Sequence, residues 1–271
     1  LGLVGSEMCI RDRKRIMTIL RITGSSSKGN AYILECNNEI LLIEAGVSFK
    51  NKILPAINWE GGRVVGCLVS HRWSHSDHSL DIPNLILRAI SVYSNKETKS
   101  IFPDVVELSI KTKYRIGGFE VQCLEVPHNA QCYSFIIDCP DGIRILFITD
   151  CSYFKYKVKD VNVLMIETNY SNDVIVDNAI HDEWSSSASE NHLSLEQAIE
   201  VIKRHKSRNL KTVIGLHLSN QNSDEKKFGE RIFEETGFRA IFADSGITVE
   251  LKKEEFCLLY TSPSPRDRGW S

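Results

Sequence analysis

Three histidines and an aspartate crowd one short run of the chain, Ser70-His71-Arg72-Trp73-Ser74-His75-Ser76-Asp77-His78-Ser79. Imidazole nitrogens and carboxylate oxygens are ligands for zinc, manganese or iron. A loop can turn His71, His75, Asp77 and His78 inward together, whereas a straight strand or helix could not. The chain has 8 histidines in all, so three in one loop are not background. Three further candidates stand at the ends of apolar runs: His128, Asp150 and His217. A lone histidine in such a place is more often structural. Strand ends gather at one sheet edge, however, and a two-metal site needs about seven ligands, one of them a carboxylate able to bridge. His71, His75, Asp77, His78, His128, Asp150 and His217 make such a set.

The elements that must position these residues can be read from periodicity. Apolar runs over 17–23, 31–36 and 39–44 predict strands, the last two joined by a turn at Asn37-Asn38. The Gly24-to-Asn30 segment between the first two reads as a Ser/Gly-rich loop whose backbone N–H groups could approach a phosphate, although such a segment is more often only a turn. Residues 49–59 have helical spacing but contain Pro55, which implies a short or kinked helix. A buried strand over 64–69 runs into His71, and helical spacing returns over 80–90. In the second half, strands are expected over 119–126, 132–138, 143–148, 161–167 and 212–216, with helices over 195–206 and 224–235 and two short strands at the end. Ser194 with Gln197 has the form of a helix capping box. Strands cluster in both halves, so two sheets packed face to face with helices outside are expected, rather than one doubly wound sheet. No repeat of about 20–50 residues is visible.

Composition narrows the class. The chain has 271 residues, 42% hydrophobic and 25% charged, with a formal net charge of -2, so it is expected to be an ordinary globular protein without a global field attracting nucleic acid. No apolar run approaches the roughly 18 residues of a membrane span. Eight cysteines without a C-x-x-C pair read as buried free thiols in a reducing cytoplasm. Residues 1–13 and 257–271 look like translated adapter or cloning read-through, which leaves 14–256 as one expected domain with Met17 a plausible start. Two basic stretches could contact a polyanion: Lys155, Lys157 and Lys159 with Tyr153 and Phe154 nearby, and Lys203, Arg204, Lys206 and Arg208. Such stretches are more often solvated faces, and the second also suits a helix C-terminus.

The order His-x-His-x-Asp-His, His, Asp, His resembles the metallo-β-lactamase superfamily. The opening Gly24-Ser25-Ser26-Ser27-Lys28-Gly29-Asn30, together with Leu42-Ile43-Glu44-Ala45-Gly46, Asn191-His192-Leu193-Ser194 and His217-Leu218-Ser219-Asn220, is similar to its WalJ/YycJ-like, exonuclease-like branch and phage-encoded relatives. The similarity spans about residues 17–251. It implies a four-layer αββα sandwich of two mixed β-sheets flanked by helices, and two divalent metal ions, Zn2+ or Mn2+ with iron an option. His71, His75 and His128 would hold one ion, Asp77, His78 and His217 the other, with Asp150 bridging. A metal-activated hydroxide would attack a phosphodiester of DNA, as in a 5′-to-3′ exonuclease. Asp77 or Asp150 would orient the nucleophile. His192 would serve as proton donor or phosphate contact, or else as a capping residue, and Ser219, Asn220 and Asn222 would meet substrate oxygens. One departure stands out: the family has one residue between its first two histidines, and here Arg72-Trp73-Ser74 intervene. A two-residue insertion keeps His71 as ligand; the other alignment places Trp73, which cannot bind a metal, at the first position. Two other functions remain open on this sequence: hydrolysis of a small ester, thioester or lactone, and non-catalytic metal binding at a degenerate site.

Overall fold

In the computed structural model, which describes residues 17–72, 78–171, 191–216 and 224–253, fourteen strands form two seven-stranded sheets. The first holds β1 (Thr18–Ser26), β2 (Gly29–Cys36), β3 (Glu39–Ile43), β4 (Val64–Leu68), β5 (Val92–Ser94), β6 (Val106–Glu107) and β14 (Thr248–Leu251), in the order β14-β1-β2-β3-β4-β5-β6. The second holds β7 (Lys113–Ile116), β8 (Phe119–Val126), β9 (Cys132–Asp138), β10 (Arg144–Ile148), β11 (Val163–Glu167), β12 (Thr212–Leu216) and β13 (Ile241–Phe242), in simple order from β13 to β7. Each sheet is antiparallel on one side and parallel on the other. The change falls at β3 in the first sheet and at β10 in the second.

The pleat explains the layering. Alternate residues of a strand point to opposite faces, so Tyr32, Leu34 and Cys36 of β2 meet Phe135, Ile137, Ile145 and Phe147 between the sheets. Phe147 is fully buried there, edge-on to Tyr32 at 5.5 Å and stacked on Phe135 at 6.3 Å. Burying each such side chain contributes about 1.5–3 kcal/mol. The intervening residues face outward under helices. Ile33, Ile40 and Leu42 pack against Phe49, Ile53, Ile82 and Leu85. Leu146, Ile148, Leu164 and Ile166 pack against α4 (Leu195–His205) and α5 (Glu225–Thr236). This is the four-layer sandwich expected from the motifs.

Local chemistry accounts for the boundaries. Asn37 and Asn38 both take positive φ, 50° and 66°, as a tight two-residue hairpin turn requires. Pro55 sits in the first turn of α1 (Leu54–Ala56), directly after a π-helical turn over Phe49–Ile53, so the helical stretch is short, as Pro55 implied. Ahead of α4, the Ser194 side chain accepts from Gln197 N while Gln197 reaches back to Ser194 N, so the capping box is real. One expectation is corrected. The Gly24-to-Asn30 segment is not an open loop but the β1–β2 hairpin, with a register shift between Ile22 and Gly24. Gly29 has φ 148°, and a Cβ there would collide with the Gly46 carbonyl oxygen. Its glycines therefore permit close packing against 46–47. α2 (Ile82–Leu87) and α3 (Lys96–Ile101) complete the first half. The six described cysteines are buried and unbridged. No helix of the described residues is long and apolar enough to cross a membrane.

Candidate metal centre

The carboxyl ends of the parallel strands lie along one edge of the sandwich, and the site is built from them. Glu44 directly follows β3, His71 lies just past β4, Asp150 just past β10, and Glu167 ends β11. His128 lies just beyond β8, which runs parallel to β10 as the outer neighbour of β9. His192 precedes α4, whose Ser194 bridges to Tyr170 beyond β11.

Asp150 is the centre of the arrangement. Its Oδ2 lies 3.3 Å from His78 Nε2, 4.0 Å from His71 Nε2 and 4.0 Å from His192 Nδ1. Two groups of candidate ligands share it: His71, His78 and Asp150, and Asp150, Glu167 and His192, with the offered atoms of each group within 4.8 Å of one another. The His71 ring lies 4.5 Å from that of His78 and 4.8 Å from that of His128, and His128 lies 6.2 Å from His192.

Neighbouring groups fix which ring atoms face inward. His71 Nδ1 is engaged by Ser70 Oγ at 2.9 Å and lies 3.5 Å from Cys132 Sγ, so Nε2 points to Asp150. His128 Nδ1–H donates to the Asn191 carbonyl at 3.1 Å, which leaves its Nε2 with a lone pair. His78 sits between two carboxylates, with Nδ1 3.3 Å from Glu44 Oε2. Glu44 is fully buried, takes φ 66°, and accepts from Ser70 N at 3.3 Å. A glutamate held in the left-handed region is strained backbone of the kind that clusters at functional sites. Glu167, also fully buried, accepts from Leu193 N at 3.1 Å, Asn169 Nδ2 at 3.3 Å and His192 Nδ1 at 2.6 Å.

The electrostatics differ ring by ring. Burial pushes His71 well below the ordinary imidazole range, and the neighbouring His78 pushes the same way. His128 is also lowered by burial, against the pull of Asp150. Burial opposes charge on His78 too, but Asp150 and Glu44 together outweigh it and hold the ring well above 6.5. At His192 burial is likewise overcome by Glu167 and Asp150, and its pKa is raised to about 9. Three buried carboxylates thus stand among four imidazoles, and their ion-pair partners among the described residues are histidines, not lysine or arginine. Buried anions need compensating positive charge. A proton on His78 and a divalent cation are alternative ways to supply it, and the donor set of lone-pair imidazoles around a shared carboxylate suits the cation.

Of the residues anticipated from sequence, His71, His78, His128, Asp150 and His192 are brought together. His75, Asp77, His217, Ser219, Asn220 and Asn222 lie outside the described residues. Sequence reasoning assigned no role to Glu44 or Glu167. Glu167 ends the apolar run Val163-Leu164-Met165-Ile166, so the strand-end rule applied to Asp150 would have found it.

Comparison with known proteins agrees with the architecture. The "Beta-lactamase superfamily domain" model matches residues 40–217. Exodeoxyribonuclease WalJ of Streptococcus pneumoniae is 25% identical over 224 residues, covering 74% of this chain and 82% of that protein. The metallo-β-lactamase fold protein YhfI of Bacillus subtilis superposes with a TM-score of 0.70 at 15% identity, over 86% of this chain and 99% of that one. The short form of human tRNase Z superposes with a TM-score of 0.62 at 13% identity, over 86% and 99%. The family model runs from β3 to the residue after β12 and so takes in every strand end that meets at Asp150; the chain belongs to the β-lactamase superfamily, as a metal-dependent hydrolase of the metallo-β-lactamase fold.

Proposed function

We propose that this hydrolase is a nuclease that cleaves phosphodiester bonds of DNA with two divalent ions, zinc or manganese. The observation that carries the reading is the meeting of the buried His71, His78 and Asp150, with His128 beside His71, at one sheet edge. The likeness to an exodeoxyribonuclease over most of both chains supports DNA as the substrate. In this reading His71, His75 and His128 would hold one ion and Asp77, His78 and His217 the other, with Asp150 a further ligand. Bound ions would acidify water and neutralise charge building on a phosphoryl group.

The chain's own residues do the rest. Ser70 and the Asn191 carbonyl fix the rings of His71 and His128, so that each presents Nε2. Glu44 orients His78 through Nδ1. Glu167 is paired with His192 and favours its protonated form, from which a proton can pass to the departing oxygen. Ser219, Asn220 and Asn222 offer hydrogen bonds to substrate oxygens.

The test is elemental analysis of the purified chain together with cleavage of end-labelled duplex DNA, with Asp150→Ala as control. Two ions per chain and cleavage that disappears in Asp150→Ala support the reading. One ion or none, with no cleavage under added zinc or manganese, removes it.

A further inference from the structure

The nine residues after Asp150, Cys151 to Lys159, leave the metal centre as an irregular segment with no strand partner. Exposure nevertheless alternates along it. Tyr153, Lys155, Lys157 and Lys159 are exposed, Phe154 is buried, and Tyr156 and Val158 are half-buried against the second sheet's outer core. The segment is held in place from below. Ser152 N donates to the Pro127 carbonyl at 3.0 Å, beside His128, and Gln197 Nε2 donates to the Ser152 carbonyl at 3.0 Å. Arg204 donates to the Phe154 carbonyl at 2.7 Å, Tyr156 OH to the Glu125 carbonyl at 2.8 Å, Val158 N to His205 Nε2 at 3.1 Å, and Arg144 to the Lys159 carbonyl at 3.2 Å. Three lysines therefore stand in a row on a fixed backbone, and none of them has an ion-pair partner among the described residues.

The second basic stretch is different. Lys203 pairs with Glu200 at 3.1 Å and Glu235 at 2.8 Å, Arg204 is used on Phe154, and Lys206 caps the Thr236 carbonyl at 2.7 Å. Three of its four charges, all but that of the exposed Arg208, are already employed in packing α4 against α5 and the lysine segment.

We propose that Tyr153, Lys155, Lys157 and Lys159 form a track that carries single-stranded DNA to or from the metal centre. The idea rests on the nuclease reading and adds the form of the substrate. Alternate residues of a chain stand at most about 7 Å apart, within reach of neighbouring phosphates in a stretched single strand. Tyr153 is 51% exposed and lies at most about 11 Å of chain from Asp150, where a ring can stack on a base. Asp160, bonded to Asn209 Nδ2 at 2.9 Å, ends the positive run. With a net charge of -2 on the whole chain, attraction for a polyanion must come from a local array such as this one.

The experiment measures binding of a fluorescent phosphorothioate oligothymidylate 12-mer to the metal-loaded protein across a salt series, beside cleavage of the ordinary oligonucleotide by the wild type. Each phosphate neutralised on a single strand contributes about 0.7 to the slope of log affinity against log salt. The combined variant Lys155→Ala, Lys157→Ala, Lys159→Ala should lower the slope by about 2. A charge-matched variant of exposed lysines elsewhere, Lys111→Ala, Lys226→Ala, Lys253→Ala, should keep the wild-type slope. Tyr153→Ala should weaken binding about tenfold at an unchanged slope, because a stacking ring carries no charge. A wild-type slope in the first variant, with the wild type still cleaving DNA, overturns the track and leaves the nuclease reading standing. A wild type that neither binds nor cleaves the oligonucleotide but cleaves duplex DNA also overturns the track alone, and one that cleaves neither substrate overturns both.

Discussion

Replacing Glu167 by glutamine keeps the shape of the side chain and removes its charge, which isolates what the carboxylate does to His192. In the wild type His192 Nδ1 lies 2.6 Å from Glu167 Oε1, while Glu167 Oε2 accepts from Leu193 N at 3.1 Å. A glutamine would turn its oxygen to that backbone N–H and its amide nitrogen to His192. The ring must then accept at Nδ1 and carry its proton at Nε2, which is the neutral tautomer. The pKa of about 9 should fall towards or below 6.5, because burial is then opposed by Asp150 alone. A lift from 6.5 to about 9 corresponds to about 3 kcal/mol of preference for the imidazolium. The sign for stability follows: the folded pKa lies above the unfolded one, so this contribution is complete below pH 6.5 and is lost as pH rises through about 9. In chelator-treated protein, the stability gap between wild type and Glu167→Gln should therefore be wide at pH 6 and should narrow by about 3 kcal/mol by pH 9.5. NMR titration of the His192 ring and urea unfolding at both pH values read the two effects. A wild-type ring that titrates at or below 6.5, or a ring in Glu167→Gln that titrates as in wild type, refutes the reasoning.

Three further outcomes are expected. Phe147→Ala empties a fully buried site between the sheets and should cost about 3–5 kcal/mol in urea unfolding. Gly29→Ala combines a forbidden φ with a collision at the Gly46 carbonyl; it should destabilise by more than about 1 kcal/mol, seen as a lower melting temperature. Ser194→Ala removes half of the capping box and should cost about 1 kcal/mol, with faster amide exchange in the first turn of α4.

Much of the layering was legible because the strands that make it are long and regular. β8, β9 and β12 fall where the apolar runs placed them, over 119–126, 132–138 and 212–216. β5, β6, β7 and α3 were not anticipated, and they are short, from two to six residues. So few residues hold no full period of either pattern. Glycine and serine over 24–30 signal a turn, whereas in the hairpin the glycines serve close approach between backbones. In the site, metal-type side chains were visible as types. Glu44 and Glu167 were passed over because a glutamate at the end of an apolar run looks like the return of solvent. Only the fold reveals that both are fully buried against histidines.

The two sheets explain why the site lies where it does. In each, one strand has an antiparallel neighbour on one side and a parallel neighbour on the other: β3 between β2 and β4, β10 between β9 and β11. The parallel strands of each sheet end on one side, and it is beyond such carboxyl ends that ligands bind in α/β sheets. Glu44 follows β3 and Asp150 follows β10, so the two sheets place a carboxylate at the same point of their topology, and His78 lies between them, 3.3 Å from each. The next strands, β4 and β11, lead to His71 and Glu167. The chain shows no sequence repeat, yet its halves share strand order and both contribute to one cluster. A change that shifts the register of β3 on β4 or of β10 on β11 should thus disturb the whole ligand set, whereas loss of a flanking helix contact should leave the ligands in place and lower stability alone.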